Sequence, residues 1–186
     1  VPSGSTLIDV QNVWKDKKDG GRPVATVFVV DTSGSMEGTR IEAVQKAMLS
    51  AREFIKPSTE VGVVEFNDVA TKRLDIGEFD LNQQAKYAAI AEDLSPGGGT
   101  AMYDGIELGL KMLEDQRALD PDVKPILVVL TDGQTTDGLT FDDVDEEVEG
   151  LRIPIYTVGF EADLDELGRV SSLVEAASID ASEEDV

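Results

Sequence analysis

The amino-acid sequence predicts an α/β fold, namely a doubly wound, mostly parallel central sheet with one antiparallel edge strand and helices on both faces. The first observation behind this prediction is that β-branched apolar runs alternate along the chain with segments of helical periodicity. The second is that these apolar runs are nearly continuous, which is typical of strands buried on both faces. The chain of 186 residues, 41% of them hydrophobic, is long enough to bury the core of one such domain.

The predicted strands follow from the apolar runs. Four runs predict buried strands, at residues 24–30, 61–66, 126–130 and 153–159. Residues 69–76 predict the antiparallel edge strand, because the turn signal at Asn67 and Asp68 would pair it with the preceding strand as a hairpin. A short additional strand is expected around residues 178–180.

Helical patterns fill the intervals between the strands. Apolar residues recur at helical spacing within residues 41–55, 87–94, 106–113, 144–151 and 164–173. We interpret all of these stripes as core packing. A further helix would start at Ser182 and be cut off by the end of the sequence.

The domain organisation is predicted from composition. Residues 1–22 are mixed and polar, so we expect an entry segment and linker there, followed by the domain at residues 23–186 with a truncated last helix. The sequence begins at Val1 rather than Met, so we expect a piece of a longer chain with neighbouring domains. No signal peptide is visible, and no apolar stretch reaches the roughly 20 residues that span a bilayer, so direct membrane insertion is not expected.

Charge and composition exclude several function classes. The net charge of −22, from 38 acidic and 16 basic residues, would repel nucleic acid and anionic membranes. The chain contains no Cys and no His, which excludes zinc sites of the usual kind and both Ser-His-Asp and Cys-His catalysis. Any bound metal must therefore be held by oxygen, which points to Mg²⁺, Mn²⁺ or Ca²⁺.

The first candidate site is the segment Asp-Thr-Ser-Gly-Ser at residues 31–35, directly after the most apolar run. Asp31, Ser33 and Ser35 are spaced by two, so a turn leaving the strand can direct three oxygens at one point, and Gly34 permits a tight backbone path. One carboxylate and two hydroxyls supply part of the six-oxygen shell that Mg²⁺ prefers. The alternative is helix capping, in which Ser33 or Ser35 caps a helix beginning near residue 36 or 37.

Two further segments complete the candidate site. Thr100 follows a Gly-rich turn and is either the N-cap of the next helix or a hydroxyl ligand; a phosphate-binding loop is a weaker interpretation because no Lys follows. Asp132 ends another buried run before Gly133, and is either a turn residue or a second carboxylate. If the two strands are neighbours, Asp31 and Asp132 lie side by side and would repel each other without a cation between them.

Taken together, the pattern Asp31-x-Ser33-x-Ser35, Thr100 and Asp132-Gly133 resembles the von Willebrand factor type A (VWA) domain and its metal-ion-dependent adhesion site. The resemblance covers roughly residues 24–174, and the wording of the motifs is most similar to bacterial or archaeal members. It implies that the two serines bind a metal directly, and that the threonine and the two aspartates bind it directly or through water. Mg²⁺ or Mn²⁺ is the expected ion, with Ca²⁺ as an alternative, and a carboxylate of a partner protein would take the sixth position.

The resemblance implies a function as well as a site. We expect a divalent-cation-dependent protein-binding module, for adhesion or scaffolding within a larger protein, and not an enzyme. One alternative is an intracellular assembly or chaperone-type subunit that works with an ATPase. A less favoured one is Mg²⁺-dependent phosphotransfer, for which Ser33 stands where a second acid is expected. An extracellular or cell-envelope location is favoured, with a cytoplasmic location left open.

Electrostatics gives a separate reason to expect an acidic ligand. Two carboxylates balance a divalent ion, and the N-terminus of a helix starting after Ser35 would add about half a positive charge. The site would then attract an anion although the molecule as a whole is strongly negative. Asp104, four residues after Thr100, is either a support for the metal ligands or a first-turn helix charge.

Overall fold

A computed structural model describes residues 22–133 and 135–160, and residues 178–180 as backbone. Residues 1–21, the predicted helix at 164–173 and the helix expected from Ser182 lie outside the described residues. The strands are β1 (Val24–Asp31), β2 (Glu60–Phe66), β3 (Ala70–Glu78), β4 (Lys124–Thr131), β5 (Ile155–Gly159) and β6 (Ser178–Asp180). The helices are α1 (Thr39–Ala51), α2 (Leu81–Glu92), α3 (Met102–Leu119) and α4 (Phe141–Leu151), and a 3-10 turn spans Gly34–Met36.

The strands form one sheet in the order β3-β2-β1-β4-β5-β6. β2 and β3 pair antiparallel at one edge, and the other pairs are parallel. From the central strand β1 the chain proceeds first to β2 on one side and later to β4 on the other. Ligands bind at such a switch in strand order in doubly wound folds, beyond the carboxyl ends of the strands.

The residues of β1 alternate between two hydrophobic cores, as a strand buried on both faces requires. Phe28 and Val30 belong to the core that includes α1 and α2. Val27 and Val29 belong to the core that includes α3 and α4. The predicted doubly wound architecture with an antiparallel edge strand is therefore confirmed. Among the residues that the structure describes, no helix is long and apolar enough to cross a membrane.

Several element boundaries differ from the predicted ones. β5 begins at Ile155 rather than at residue 153, because Pro154 has no amide hydrogen; its carbonyl oxygen instead accepts a hydrogen bond from the Leu127 amide at 3.0 Å. α2 begins at Leu81, before the apolar stripe used to predict it. The Asp80 carboxylate caps that start by accepting a hydrogen bond from the Gln83 amide at 2.8 Å.

Two glycines allow α3 to lie directly against the sheet. A Cβ atom added at Gly105 would come within 2.8 Å of the Phe66 ring, and one added at Gly109 within 2.6 Å of Leu127. Both separations are below van der Waals contact, so larger residues would push the helix outward. This close packing fixes the start of α3, which follows Thr100 in the chain.

Candidate metal centre

The Asp31 carboxylate lies at the carboxyl end of the central strand and is fully buried. One of its oxygens accepts a hydrogen bond from the Ser33 amide at 2.8 Å, and the other accepts one from the Thr131 hydroxyl at 2.6 Å. Burial raises the pKa of Asp31 above its ordinary value, and the nearby charge of Asp132 raises it further, although the bonds from Ser33 and Thr131 act in the opposite direction. A cation beside this carboxylate would offset the cost of burying its charge.

The two serines of the segment 31–35 face each other. Their hydroxyl oxygens are 2.9 Å apart, with Ser33 buried and Ser35 exposed. The capping alternative is wrong, because Ser33 precedes the 3-10 turn without a side-chain capping bond and the N-cap of α1 is Gly38. The helix expected near residue 36 or 37 begins only at Thr39, since the 3-10 turn and Gly38, with φ of 83°, come first.

Thr100 is buried at the end of the Gly-rich turn. It is not the N-cap of α3, because that position is Ala101. Its amide donates to the Thr136 hydroxyl at 3.1 Å and to the Asp137 carboxylate at 3.2 Å. Its carbonyl oxygen accepts from the amides of the same two residues at 3.0 and 3.2 Å. Thr100 is therefore fixed on both backbone sides by the loop that follows β4.

The Gly-rich turn is also bonded to the segment 31–35. The Gly97 amide donates to the Thr32 carbonyl oxygen at 2.9 Å, and the Gly34 amide donates to the Gly98 carbonyl oxygen at 3.0 Å. These reciprocal backbone bonds hold the two loops side by side. Thr100 thereby lies on the loop that adjoins Ser33 and Ser35.

Asp132 follows β4, which pairs in parallel with β1, so the predicted neighbourhood of Asp31 and Asp132 is confirmed. Its side chain is 3% exposed, and one carboxylate oxygen lies 3.7 Å from the Arg40 guanidinium. The turn interpretation also holds locally, because Gly133 has φ of 81°. Asp132 is thus both a turn residue and a buried carboxylate beside a second one.

Several residues that surround the site were not identified from the sequence. The Thr131 hydroxyl donates a hydrogen bond to the Asp31 carboxylate, and the Arg40 guanidinium contacts Asp132. The Asp68 carboxylate accepts a hydrogen bond from the Gly99 amide at 2.7 Å. The position of Thr131 beside Asp132 at a strand end was a usable signal, whereas the role of Asp68 depends on the folded hairpin. Asp104 lies in the first turn of α3. Its carboxylate accepts a hydrogen bond from the Leu139 amide at 2.8 Å, so it supports the loop after β4.

The donors gathered here fit a hard divalent cation. Within residues 22–133 and 135–160 no group of three or more acidic side chains could hold a metal alone. An ion at this position would therefore depend on hydroxyl oxygens as well as on the two buried carboxylates. Carboxylate and hydroxyl oxygens are ligands suited to Mg²⁺, Mn²⁺ and Ca²⁺.

With this fold and these motifs in place, comparison with known proteins identifies the class. The chain belongs to the von Willebrand factor type A domain family, whose model matches residues 26–183. The inter-alpha-trypsin inhibitor heavy chain H1 of Mesocricetus auratus is 31% identical over 149 residues, which are 75% of this chain and 16% of that protein. The chain thus spans only about a sixth of the length of this curated relative.

Solved structures show the same fold. A von Willebrand factor type A protein from Catenulispora acidiphila has a TM-score of 0.73 at 18% identity, covering 87% of this chain and 39% of that one. The conserved protein BatB from Bacteroides thetaiotaomicron has a TM-score of 0.69 at 17% identity, covering 88% of this chain and 92% of that one.

Proposed function

We propose that this domain is a divalent-cation-dependent protein-binding module whose ion completes its coordination with a carboxylate of a partner protein. The ligands are those predicted from the sequence: Asp31, Ser33, Ser35, Thr100 and Asp132. A bound ion would offer a positively charged, open coordination position to the partner.

The observation that carries this proposal is the buried pair of Asp31 and Asp132 beside two hydroxyls. Asp31 is fully buried and Asp132 is 3% exposed, and the charge of Asp132 helps to raise the pKa of Asp31. Two adjacent buried carboxylates destabilise a domain unless a cation or a shared proton compensates them, and the Arg40 guanidinium lies 3.7 Å from Asp132 only. A metal ion supplies that compensation, and the hydroxyl pair beside them supplies further oxygen ligands.

The exposure of the site supports a role in binding a partner. Asp31, Ser33, Thr100 and Asp132 are buried, whereas Ser35 is exposed. An ion held by these residues would be reached from the side of Ser35. A carboxylate that is part of a large molecule could approach from that side without rearrangement of the sheet.

The donor set also favours particular ions. Mg²⁺ and Mn²⁺ are the proposed ions, because a site with two carboxylates and several hydroxyls suits a six-coordinate ion. Ca²⁺, which takes six to eight oxygens, is the alternative.

The wider context is part of the same proposal. Residues 1–22 are proposed as a linker and residues 23–186 as the domain, joined to neighbouring domains of a longer chain. A role in adhesion or scaffolding at the cell surface or envelope is proposed, without catalysis. The partner is a protein that presents an exposed Asp or Glu, and not nucleic acid.

Calorimetric titration with Mg²⁺ tests the ligand set. We expect Asp31→Ala and Asp132→Ala each to weaken Mg²⁺ binding more than roughly 100-fold, since loss of even an outer-shell contact costs about 10–100-fold. Asp115→Ala is the matched control, because Asp115 is exposed on α3 and its loss changes the net charge equally. Equal Mg²⁺ affinity in all four proteins would contradict the proposal.

A further inference from the structure

Arg40 is a cation at the edge of the candidate metal centre. It lies in the first turn of α1, and its Nη1 atom donates a hydrogen bond to the Ser35 carbonyl oxygen at 2.9 Å. The same atom is 3.7 Å from the Asp132 carboxylate, and the side chain is 32% exposed. Arg40 therefore contacts two of the five proposed ligand residues while part of it remains in solvent.

A cation in this position opposes metal binding. It attracts the Asp132 carboxylate toward itself and repels a divalent ion, and the buried setting of Asp132 weakens the solvent screening of both effects. The placement of Arg40 is instead advantageous for a negatively charged ligand that arrives after the metal.

The guanidinium chemistry suits that ligand. Arg presents several N–H donors in a planar fork that matches the two oxygens of a carboxylate, and it stays charged at any physiological pH. A carboxylate that binds the ion through one oxygen leaves its second oxygen to accept a hydrogen bond. Arg40, which is 32% exposed and contacts both Ser35 and Asp132, is the candidate donor to that second oxygen.

We propose that Arg40 determines the specificity of this site for carboxylates, by binding the ligand carboxylate jointly with the metal ion at the cost of weaker metal binding. This inference rests on the proposed function and assigns it a further residue. It also replaces the expectation that the start of a helix directly after Ser35 supplies the local positive charge, since α1 begins only at Thr39.

The test uses Mn²⁺ and acetate as probes. Mn²⁺ affinity is measured by water-proton relaxation, and acetate is then titrated into the Mn²⁺-loaded protein to displace bound water. Arg40→Gln is compared with Arg52→Gln, a matched control in which an exposed Arg at the other end of α1 is neutralised. Both variants have the same net charge, so any difference between them is local.

We expect Arg40→Gln to bind Mn²⁺ at least as tightly as the parent and to bind acetate about tenfold more weakly, the loss expected for one charge-assisted hydrogen bond. Arg52→Gln should match the parent in both measurements. Arg40→Lys retains the charge without the fork, so it should bind Mn²⁺ like the parent and acetate with intermediate affinity.

Three outcomes would overturn the inference, and they are distinguishable. If the parent binds Mn²⁺ but Arg40→Gln binds acetate as well as the parent does, the inference fails and the proposed function stands. Weaker Mn²⁺ binding by Arg40→Gln would also contradict the inference. It would mean that Arg40 only holds the 3-10 turn against the loop after β4. If the parent does not bind Mn²⁺, the proposed function itself fails.

Discussion

The two ends of the central sheet differ in what they bury. The carboxyl end, where the parallel strands finish, contains six of the eight buried polar or charged residues of the described chain, namely Asp31, Thr32, Ser33, Thr100, Thr131 and Asp132. At the amino end Phe79 is fully buried, and the Gln83 side-chain amide is bonded to the carbonyl oxygens of Val61 and Asp75, both at 2.8 Å.

This difference separates stability from function. Burial of apolar side chains stabilises the fold, whereas burial of two adjacent carboxylates costs free energy unless something compensates it. The domain therefore carries its buried acidic pair at the carboxyl end, whereas the buried groups named at the amino end are apolar or hydrogen-bonded. Substitutions at the two ends should have different consequences for stability and for metal binding.

The largest expected effect on stability is at the amino end. Phe79 packs edge-to-face on Tyr87 with ring centroids 5.4 Å apart, and its side chain is fully buried. Phe79→Ala should lower the free energy of unfolding by about 3–5 kcal/mol, because it creates a cavity. Chemical denaturation measures this loss. Mg²⁺ affinity should not change, and a parallel loss of affinity would show that the two ends are coupled.

A smaller effect is expected from a structural hydrogen bond at the carboxyl end. The buried Thr32 hydroxyl donates to the Glu65 carboxylate at 2.9 Å, and Arg73 also donates to that carboxylate. Thr32→Val should lower the free energy of unfolding by about 1 kcal/mol, because the Glu65 carboxylate loses one of its two hydrogen-bond donors named here. Mg²⁺ affinity should persist, since Thr32 is not a proposed ligand.

The same substitution at the amino end of β1, Thr26→Val, is the control for replacing a hydroxyl by a methyl group. Denaturant titrations of both variants with and without Mg²⁺ give the comparison. Loss of Mg²⁺ binding in Thr32→Val would mean that the polar residues of the carboxyl end form a single unit rather than a metal site with separate supports.

The smallest effect is expected at an exposed carboxylate near the start of α4. Asp143 accepts hydrogen bonds from the Thr140 amide and hydroxyl, both at 2.7 Å, and these bonds lower the pKa of Asp143 below its ordinary value of 3.8. Because the folded pKa is lowered, the stabilisation is present above pH 3.8 and is lost as the pH falls through the folded pKa.

An NMR titration of the Asp143 carboxyl carbon checks this sign. We expect the folded protein to titrate below 3.8 and Thr140→Ala to move the pKa back toward that value. A pKa above 3.8 in the folded protein would contradict the capping interaction. Metal binding should not respond, because this contact lies outside the site.

The sheet was predictable from the sequence because its signal is local. The apolar runs at β1, β2 and β4 mark buried strands without reference to any partner, and strand neighbourhood then places Asp31 beside Asp132. The delayed start of α1 was missed because a 3-10 turn and Gly38, which has a positive φ, precede it. The spacing of apolar residues in the sequence reveals neither feature.

The residues that surround the site were missed for a different reason. Thr131 and Asp31 are 100 residues apart, and the contact between Arg40 and Asp132 likewise joins distant parts of the chain. Such pairs become visible only when the strand order and the loop paths are known. The ligand set was predicted by resemblance, and it stays a prediction until an ion is observed.

Anomalous diffraction from crystals of the protein soaked in Mn²⁺ tests the central claim most directly, because it locates the ion. We predict one strong peak bonded to the hydroxyl oxygens of Ser33 and Ser35, and to Asp31, Thr100 and Asp132 directly or through water. A peak located instead at the peripheral carboxylates Asp68 and Asp137, with none between the two serines, would contradict the account.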